Sequence, residues 1–250
     1  MKRLAQAAIA ALLLTSCGST PEPQWVSIFN GRDLSGWTPK FTHHQLGENV
    51  NDTFRVEQGM LVVSYDRWTE FGGQFGHLFY ETPFSHYRIR LEYRFVGEQV
   101  PGGPDWALRN NGIMVHSQPP ETMTLDQNFP DSVEAQLLGR DGVAPRTTAN
   151  LCTPGISVLL NGDRSGGGHC YVSDQQGPAP GEWASVEVEV QGNQVIRHIV
   201  NGRVVMEYFE PQLDNVSPWS PTRELSSGYI ALQAESHGTE IRNIELMALD

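Results

Sequence analysis

The stretch WASVEVEVQGNQVIRHIVNGRVVMEY, residues 183–208, decides the fold class of this chain. Apolar and polar residues alternate along it, which is the pattern of a strand with one buried face. Gly192-Asn193 and Asn201-Gly202 are two-residue hairpin signals that separate three such runs. The stretch therefore predicts a three-stranded antiparallel meander. If the first turn has two residues, Glu187 faces His198 across the hairpin, as a cross-strand ion pair worth a fraction of a kcal/mol.

Strand signals continue on both sides of this meander. HYRIRLEYRFV (86–96) alternates strictly, FRVEQGMLVVSY (54–65) turns at Gln58-Gly59, and SGYIALQAES (227–236) and TEIRNIELMAL (239–249) form a further pair. No segment after residue 24 keeps a 3.6-residue apolar period. The sequence predicts an all-β protein, a two-sheet antiparallel β-sandwich or jelly roll. Two irregular stretches, 97–110 and 139–182, are long enough to be functional loops.

The first residues are typical of an export signal. Met1-Lys2-Arg3 is basic, residues 4–14 are apolar but too short to span a bilayer, and Leu14-Thr15-Ser16-Cys17 is similar to a bacterial lipobox. We expect a lipoprotein signal peptide over 1–16, a lipidated Cys17 with a polar linker over 17–24, and one folded domain over 25–250. The alternative is a plain signal peptide with a chance cysteine. A lipid-anchored protein of the bacterial cell envelope, on the outer membrane or a periplasmic face, is expected.

The charge and cysteine content restrict the partners. The formal net charge is -12, and an acidic surface repels phosphate backbones, so we expect no nucleic-acid partner. Membrane contact is expected only through the lipid. After Cys17 two cysteines remain, and in an oxidising compartment a Cys152–Cys170 disulfide is the default. A catalytic thiol is the alternative.

A short strand signal, NNGIMVHSQ (110–118), carries polar side chains in an unusual position. Alternation places Ile113, Val115 and Ser117 on one face and Met114, His116 and Gln118 on the other. A sandwich sheet that packs on its partner with one face can bind a ligand with the other. We therefore expect His116 and Gln118 to face a site.

Several blocks resemble the 3-keto-disaccharide hydrolase family. They are IFNGRDLSGW (28–37), NNGIMVHSQ, SVEAQLLG (132–139), GEWASVEVEV, HIVNGRVV, GYIALQAE and IRNIEL, in the family's order from Trp25 to Leu249. The resemblance implies a concanavalin-A-like sandwich with its site on the concave sheet, and substrates whose C3 hydroxyl has been oxidised to a ketone. The chain departs from the NSGI-Arg pattern of many members, because Asn111 is followed directly by Gly112 and His116 stands further on. The chain thus resembles a subgroup of the family.

Within these blocks, polar residues that alternate with apolar neighbours are the candidate site. We expect His116 and Glu134 to be catalytic, and the pair is also the candidate ligand set for a divalent metal. The expected substrate-binding residues are Asn111, Gln118, Gln136, Glu92, Arg94, Trp106, His169 and Gln233, with Glu235 on the same strand signal as Gln233. Glu92 and Arg94 have an equally good interpretation as a solvated charged face, and His169 as a surface residue held by the disulfide. No nucleophile elbow, P-loop, H-E-x-x-H or zinc-type cysteine spacing occurs in the sequence.

A C3 ketone acidifies the C2 proton, so the resemblance implies cleavage of 3-keto-glycosides by C2 proton abstraction, elimination and hydration. His116 is the expected base and Glu134 its orienting group or acid. Direct hydrolysis by two carboxylates, Glu92 and Glu134, is the competing mechanism. A non-catalytic, lectin-like carbohydrate-binding protein is the alternative function. A surface scaffold that docks another protein is a third, and a sugar 3-oxidoreductase that makes the ketone is a candidate partner.

Overall fold

The 183–208 stretch forms three antiparallel strands, as expected, in a computed structural model that describes residues 24–249. They belong to a ten-stranded sheet consisting of β1 (Val26–Ser27), β3 (Phe54–Glu57), β4 (Met60–Val63), β6 (His86–Gln99), β10 (Ile156–Leu160), β11 (Asp163–Ser165), β13 (Ala184–Gln191), β14 (Val195–Val200), β15 (Arg203–Leu213) and β17 (His237–Ala248). Its strand order is β11-β10-β15-β14-β13-β6-β17-β4-β3, with β1 added beside β17.

A second sheet has seven strands, β2 (Trp37–Phe41), β5 (Gly76–Tyr80), β7 (Asn110–Ser117), β8 (Val133–Leu138), β9 (Asn150–Cys152), β12 (Cys170–Tyr171) and β16 (Tyr229–Ala234), in the order β12-β9-β8-β7-β16-β5-β2. Three short 3₁₀ turns lie at Val50–Asp52, Asp105–Ala107 and Pro120–Thr122. The prediction of an all-β, two-sheet antiparallel sandwich is confirmed. No helix within residues 24–249 is both long and apolar enough to cross a membrane.

The two sheets enclose the core between them. On the seven-stranded sheet, alternate residues such as Leu78, Ile113, Ala135 and Leu232 point inward and join one large buried apolar cluster. The residues between them point the other way, and Phe79, Met114 and Ala231 form a separate small cluster with Met123. We call this second side the site face: the face of the seven-stranded sheet that points away from the ten-stranded sheet.

The first turn of the meander is longer than the two residues expected. Gln191 pairs with Val195, so three residues form the turn, and Glu187 lies opposite Ile199 instead of His198. His198 is buried and donates from Nδ1 to the Ala149 carbonyl at 2.9 Å, while its Nε2 lies 2.9 Å from the Tyr208 hydroxyl. The expected Glu187–His198 pair was therefore wrong, because one extra turn residue reverses the side to which His198 points.

The Cys152–Cys170 disulfide is formed and joins β9 to β12 at the edge of the seven-stranded sheet. This prediction is confirmed, and it removes the catalytic-thiol alternative for these two residues. The signal peptide over 1–16, Cys17 and most of the 17–24 linker lie outside the described residues.

Candidate active site

Buried polar side chains are concentrated on the site face. Five buried side chains here each have at least one nitrogen or oxygen with no hydrogen-bond partner within the protein. They are His77, Asn110, Glu134, Gln233 and the nearby Glu235. A buried polar atom without a partner costs roughly 1–3 kcal/mol, and such atoms are few in native proteins. Five residues of this kind on one side of one sheet indicate a ligand site.

The strand register explains why these residues converge. His77 on β5 lies opposite Gln233 on β16, and Gly112 on β7 lies opposite Gln136 on β8. Gly112 leaves the space above its strand free of a side chain. A Cβ there would lie 2.5 Å from Gln233 Oε1 and would also collide with Glu134 Oε1. The glycine thus lets the Glu134 and Gln233 side chains lie over the strand and meet.

Two carboxyl groups, Glu134 and Glu235, share the site. They are 6% and 2% exposed, and burial raises the pKa of both, that of Glu235 to about 8. The charge of Glu235 raises the pKa of Glu134 further, while the contact with Gln233 opposes this rise because it stabilises the carboxylate. Such a pair holds a proton at neutral pH, which is the property required of a general acid beside a general base.

A cavity of about 180 Å³ opens over these carboxyls. It is lined by Trp106, Asn110, Phe129, Glu134, Gln136, Cys152, Pro154, Gly168, Cys170 and Glu235. Trp106 is 53% exposed and stacks on Phe75, with ring centroids 5.8 Å apart and planes 11° apart. The indole therefore stands at the mouth as a rigid apolar platform of the kind on which sugar rings pack.

Several predicted site residues occupy this region. Glu134, Gln136 and Trp106 line the cavity, and Gln233 lies beside Glu134 on the site face. Gln136 Oε1 accepts a hydrogen bond from Asn150 Nδ2 at 3.1 Å. His169 is exposed in the loop just beyond Gly168, at the rim and not among the lining residues.

Strand alternation predicted that the His116 side chain faces the site, and this prediction was wrong. The pairing of β7 with β16 slips by one residue between Met114 and Ser117, and His116 adopts a φ of 50°. This bulge turns the His116 ring inward, where Nε2 donates to the carbonyl of Gly192, in the turn between β13 and β14, at 2.8 Å. His116 therefore does not meet Glu134, and the expected catalytic pair is not formed.

His116 and Glu134 are not a joint metal-ligand set, for the same reason. His116 and Glu134 point to opposite sides of the seven-stranded sheet, so they do not share an ion. Across residues 24–249, no three His, Cys, Asp or Glu side chains converge in the way a metal site requires.

Asn111 and Gln118 are structural. Asn111 lies on the inward side, where its Nδ2 donates to the Gln233 carbonyl at 2.7 Å and its Oδ1 accepts from the Gly112 amide at 2.8 Å. Gln118 Oε1 accepts from Gln127 Nε2 and from the Asp131 amide, both at 2.7 Å. Gln118 thus holds together the loop that carries Phe129, and both side chains are engaged in contacts within the protein.

Glu92 and Arg94 lie on the other sheet, facing outward. Glu92 Oε2 accepts from Arg242 Nε at 2.7 Å, and Arg94 Nε donates to Glu240 at 2.6 Å. The solvated charged face was the correct interpretation, because β6 belongs to the ten-stranded sheet and its polar side points away from the core. Glu92 and Glu134 therefore lie on different sheets and do not form the pair expected for direct hydrolysis, and neither Glu92 nor Arg94 lies on the site face.

Sequence reasoning missed His77 and left Glu235 out of the catalytic set. His77 lies in GHLFY (76–80), where His77 and Phe79 alternate with Leu78 as on any half-buried strand. Glu235 follows Gln233 by two residues, which was the available signal. Lys40 on β2 is also buried, pairs with His77 in the sheet, and donates from Nζ to the Phe41 carbonyl at 2.8 Å.

The chain belongs to the family described as a 3-keto-alpha-glucoside-1,2-lyase-like domain, which matches residues 24–247. The resemblance inferred from the sequence blocks is thereby confirmed, and it assigns the protein to a carbohydrate-active domain family. No curated protein sequence matches the chain.

Solved structures share the fold. Two proteins of Parabacteroides distasonis, provisionally named glycosyl hydrolases, superpose on 90% of this chain. The first has a TM-score of 0.55 at 17% identity, and the match spans 100% of its own length. The second has a TM-score of 0.54 at 19% identity, and the match spans 94% of its own length. A Bacillus subtilis protein of unknown function with a galectin-like fold has a TM-score of 0.54 at 12% identity, over 87% of this chain and 92% of its own. These likenesses support the concanavalin-like sandwich.

Proposed function

We propose that the protein cleaves the glycosidic bond of 3-keto-glycosides by elimination across C1 and C2, followed by addition of water. The observation that carries this proposal is the pair of buried carboxyls, Glu134 and Glu235, in a small cavity beside unpartnered amide and imidazole groups. The family description names a 1,2-lyase-like domain, which agrees with elimination.

The chemistry needs one base and one acid. A ketone at C3 makes the C2 proton acidic, since the electron pair left on C2 is delocalised onto the C3 oxygen as an enolate. The enolate then re-forms the ketone, a C1–C2 double bond appears, and the C1–O bond breaks as the leaving oxygen takes a proton. Water added across C1 and C2 gives the free 3-keto-sugar and completes a net hydrolysis.

Glu134 is the proposed base and Glu235 the proposed acid. Only one of two neighbouring buried carboxyls carries charge readily, because the second ionisation is opposed by the first. Burial raises the pKa of both carboxyls, and the charge of Glu235 raises that of Glu134 further, so the pair shares one proton. The roles are assigned from position: Glu134 lies beside Gln233 over Gly112, where it takes the C2 proton, and Glu235 lines the cavity, where it protonates the leaving oxygen.

The cavity suits one sugar ring. Its volume of about 180 Å³ is below the roughly 300–1,000 Å³ of sites for drug-sized ligands. The leaving group is then expected at the mouth, on the exposed face of Trp106, where an aromatic or second-sugar aglycone stacks. This assigns the buried end to the keto-sugar and the open end to a variable aglycone.

Turnover of an aryl 3-keto-glucoside and of its unoxidised parent tests the proposal, with and without a chelator. Release of the aryl alcohol from the keto substrate alone, lost in Glu134→Gln and Glu235→Gln but kept in the exposed control Glu121→Gln, supports it. Cleavage of the parent at a comparable rate overturns it in favour of direct hydrolysis by the carboxyl pair.

A carbohydrate-binding protein without turnover is the second candidate, favoured by the exposed, stacked Trp106. In that case both compounds bind without aglycone release, Trp106→Ala abolishes binding, and Glu134→Gln does not.

We further propose that the domain works at the cell envelope, tethered through Cys17, and that an enzyme oxidising the C3 hydroxyl supplies its substrate. Labelling with a radioactive fatty acid, lost in Cys17→Ser, tests the tether. Co-purification of a sugar 3-oxidoreductase tests whether the supply involves direct contact.

A further inference from the structure

His77 is a fully buried histidine whose Nδ1 and Nε2 both lack a hydrogen-bond partner within the protein. It is not a catalytic group of the mechanism above. The rings of Phe79 and Phe129 lie beside it, with centroids 6.3 and 5.9 Å away. A phenylalanine would satisfy this position better than an imidazole if packing were the only requirement.

Gln233 is the neighbour of His77 across the sheet and has the same property. Its Oε1 and Nε2 are buried and make no hydrogen bond of normal geometry. On its other side Gln233 meets Glu134 above Gly112. The order along the site face is therefore His77, Gln233, Glu134, which places Gln233 directly beside the proposed base and His77 one strand further away.

The electrostatic character of His77 is that of a neutral donor. Burial lowers its pKa to about 3, and the positive charge of Lys40 contributes in the same direction. The ring is thus uncharged at physiological pH and carries one N–H. The buried ammonium of Lys40, on the neighbouring strand, makes the region favourable for negative charge.

We propose that the N–H groups of His77 and Gln233 bind the C3 oxygen of the substrate and stabilise the enolate formed there. This inference rests on the proposed function and deepens it, since it names the groups that recognise the ketone. Neutral imidazole and amide donors fixed in a buried site are suited to a developing oxyanion, because they need no reorganisation when the charge appears. No oxidant or further reactant enters the step.

The order of the side chains agrees with the order of the reacting atoms. With the C3 oxygen on Gln233 and His77, the adjacent C2 lies toward Glu134, which takes its proton. The next carbon, C1, then lies toward the cavity and Glu235, which protonates the leaving oxygen. His77 is fully buried and does not line the cavity. Phe129 does line it and packs edge-on near His77, so binding of the ketone to His77 requires the Phe129 ring to move.

His77→Phe is the decisive variant, because it fills the same apolar space and removes the donor. We expect kcat for the 3-keto-glucoside to fall about 10²–10³-fold, with a melting temperature equal to or above that of the wild type. His77→Gln, which restores an N–H, is expected to recover part of kcat. The exposed His86→Gln is the matched control and leaves kcat unchanged. An unchanged kcat in His77→Phe overturns the inference while the proposed function stands.

Ring-nitrogen NMR of His77 in the wild-type protein separates the two proposals. Addition of 3-keto-glucose is expected to shift the His77 N–H resonance, and addition of glucose is not. If no 3-keto-glycoside is turned over but this shift occurs, the proposed reaction fails and His77 remains the ketone-binding group. If neither sugar shifts the resonance, the assignment of His77 is overturned regardless of turnover.

Discussion

Replacing Glu235 by glutamine should stabilise the protein in a pH-dependent way while it removes catalysis. Glu235 is 2% exposed, and burial raises the pKa of its carboxyl from 4.5 to about 8. Glutamine has nearly the same shape and never ionises. The variant therefore isolates the cost of keeping an ionisable group in this site.

The size of the effect follows from proton linkage. A carboxyl with a raised folded-state pKa favours the folded state fully below pH 4.5, and this contribution is lost as the pH rises through about 8. At about 1.36 kcal/mol per pKa unit, Glu235→Gln should gain roughly 3 kcal/mol in unfolding free energy over the wild type at pH 7. The gain should approach roughly 5 kcal/mol above pH 8 and vanish near pH 4.

Urea denaturation at several pH values from 4 to 9, with the disulfide intact, measures the difference. The exposed Glu121→Gln corrects for loss of one surface charge and should show almost no trend. A stability difference between Glu235→Gln and the wild type that does not change from pH 4 to 9 would refute the assignment of Glu235 as a buried, protonated acid.

Three further variants test the rest of the account. Gly112→Ala should fold but lose most of its turnover, because the added Cβ displaces the Glu134 carboxylate; unchanged kcat contradicts the role given to that glycine. His116→Ala should lose roughly 2–4 kcal/mol of stability in urea unfolding yet keep kcat within a few-fold, and a 100-fold fall in kcat would restore His116 as a catalytic candidate. Reduction of Cys152–Cys170 should lower the free energy of unfolding by roughly 3 kcal/mol. It should also raise KM, because both cysteines line the cavity, and an unaltered KM would show that the disulfide does not shape the binding site.

The fold was predictable because strand alternation is a local property. The 86–96 and 183–208 runs each show one apolar and one polar face, and the structure buries the apolar face in each case. The disulfide was equally predictable from the sequence, since only two cysteines follow Cys17. These features need no knowledge of which strands become neighbours.

The site was predicted in part, because alternation does not say which sheet a strand joins. Glu134, Gln136 and Gln233 were found on strands that belong to the seven-stranded sheet, whereas Glu92 shows the same pattern on the ten-stranded sheet and lies in an outer ion pair. The position of a polar face therefore has to come from the topology.

The predicted orientation of His116 was wrong because of a β-bulge. One extra residue between Met114 and Ser117 reverses the side to which every later side chain points. His77 was overlooked for a different reason: its strand reads as ordinary, and only the lack of any partner for its ring nitrogens distinguishes it. Properties of that kind emerge only when neighbouring strands are in place.

The proposed reaction requires that the C2 proton be removed before the glycosidic bond breaks. The most direct test is the rate of aglycone release from an aryl 3-keto-glucoside carrying deuterium at C2, compared with the same compound carrying hydrogen, under single-turnover conditions. We expect slower release from the deuterated substrate and no release from the unoxidised parent. Equal rates for the two isotopic substrates, together with release from the parent, would contradict it.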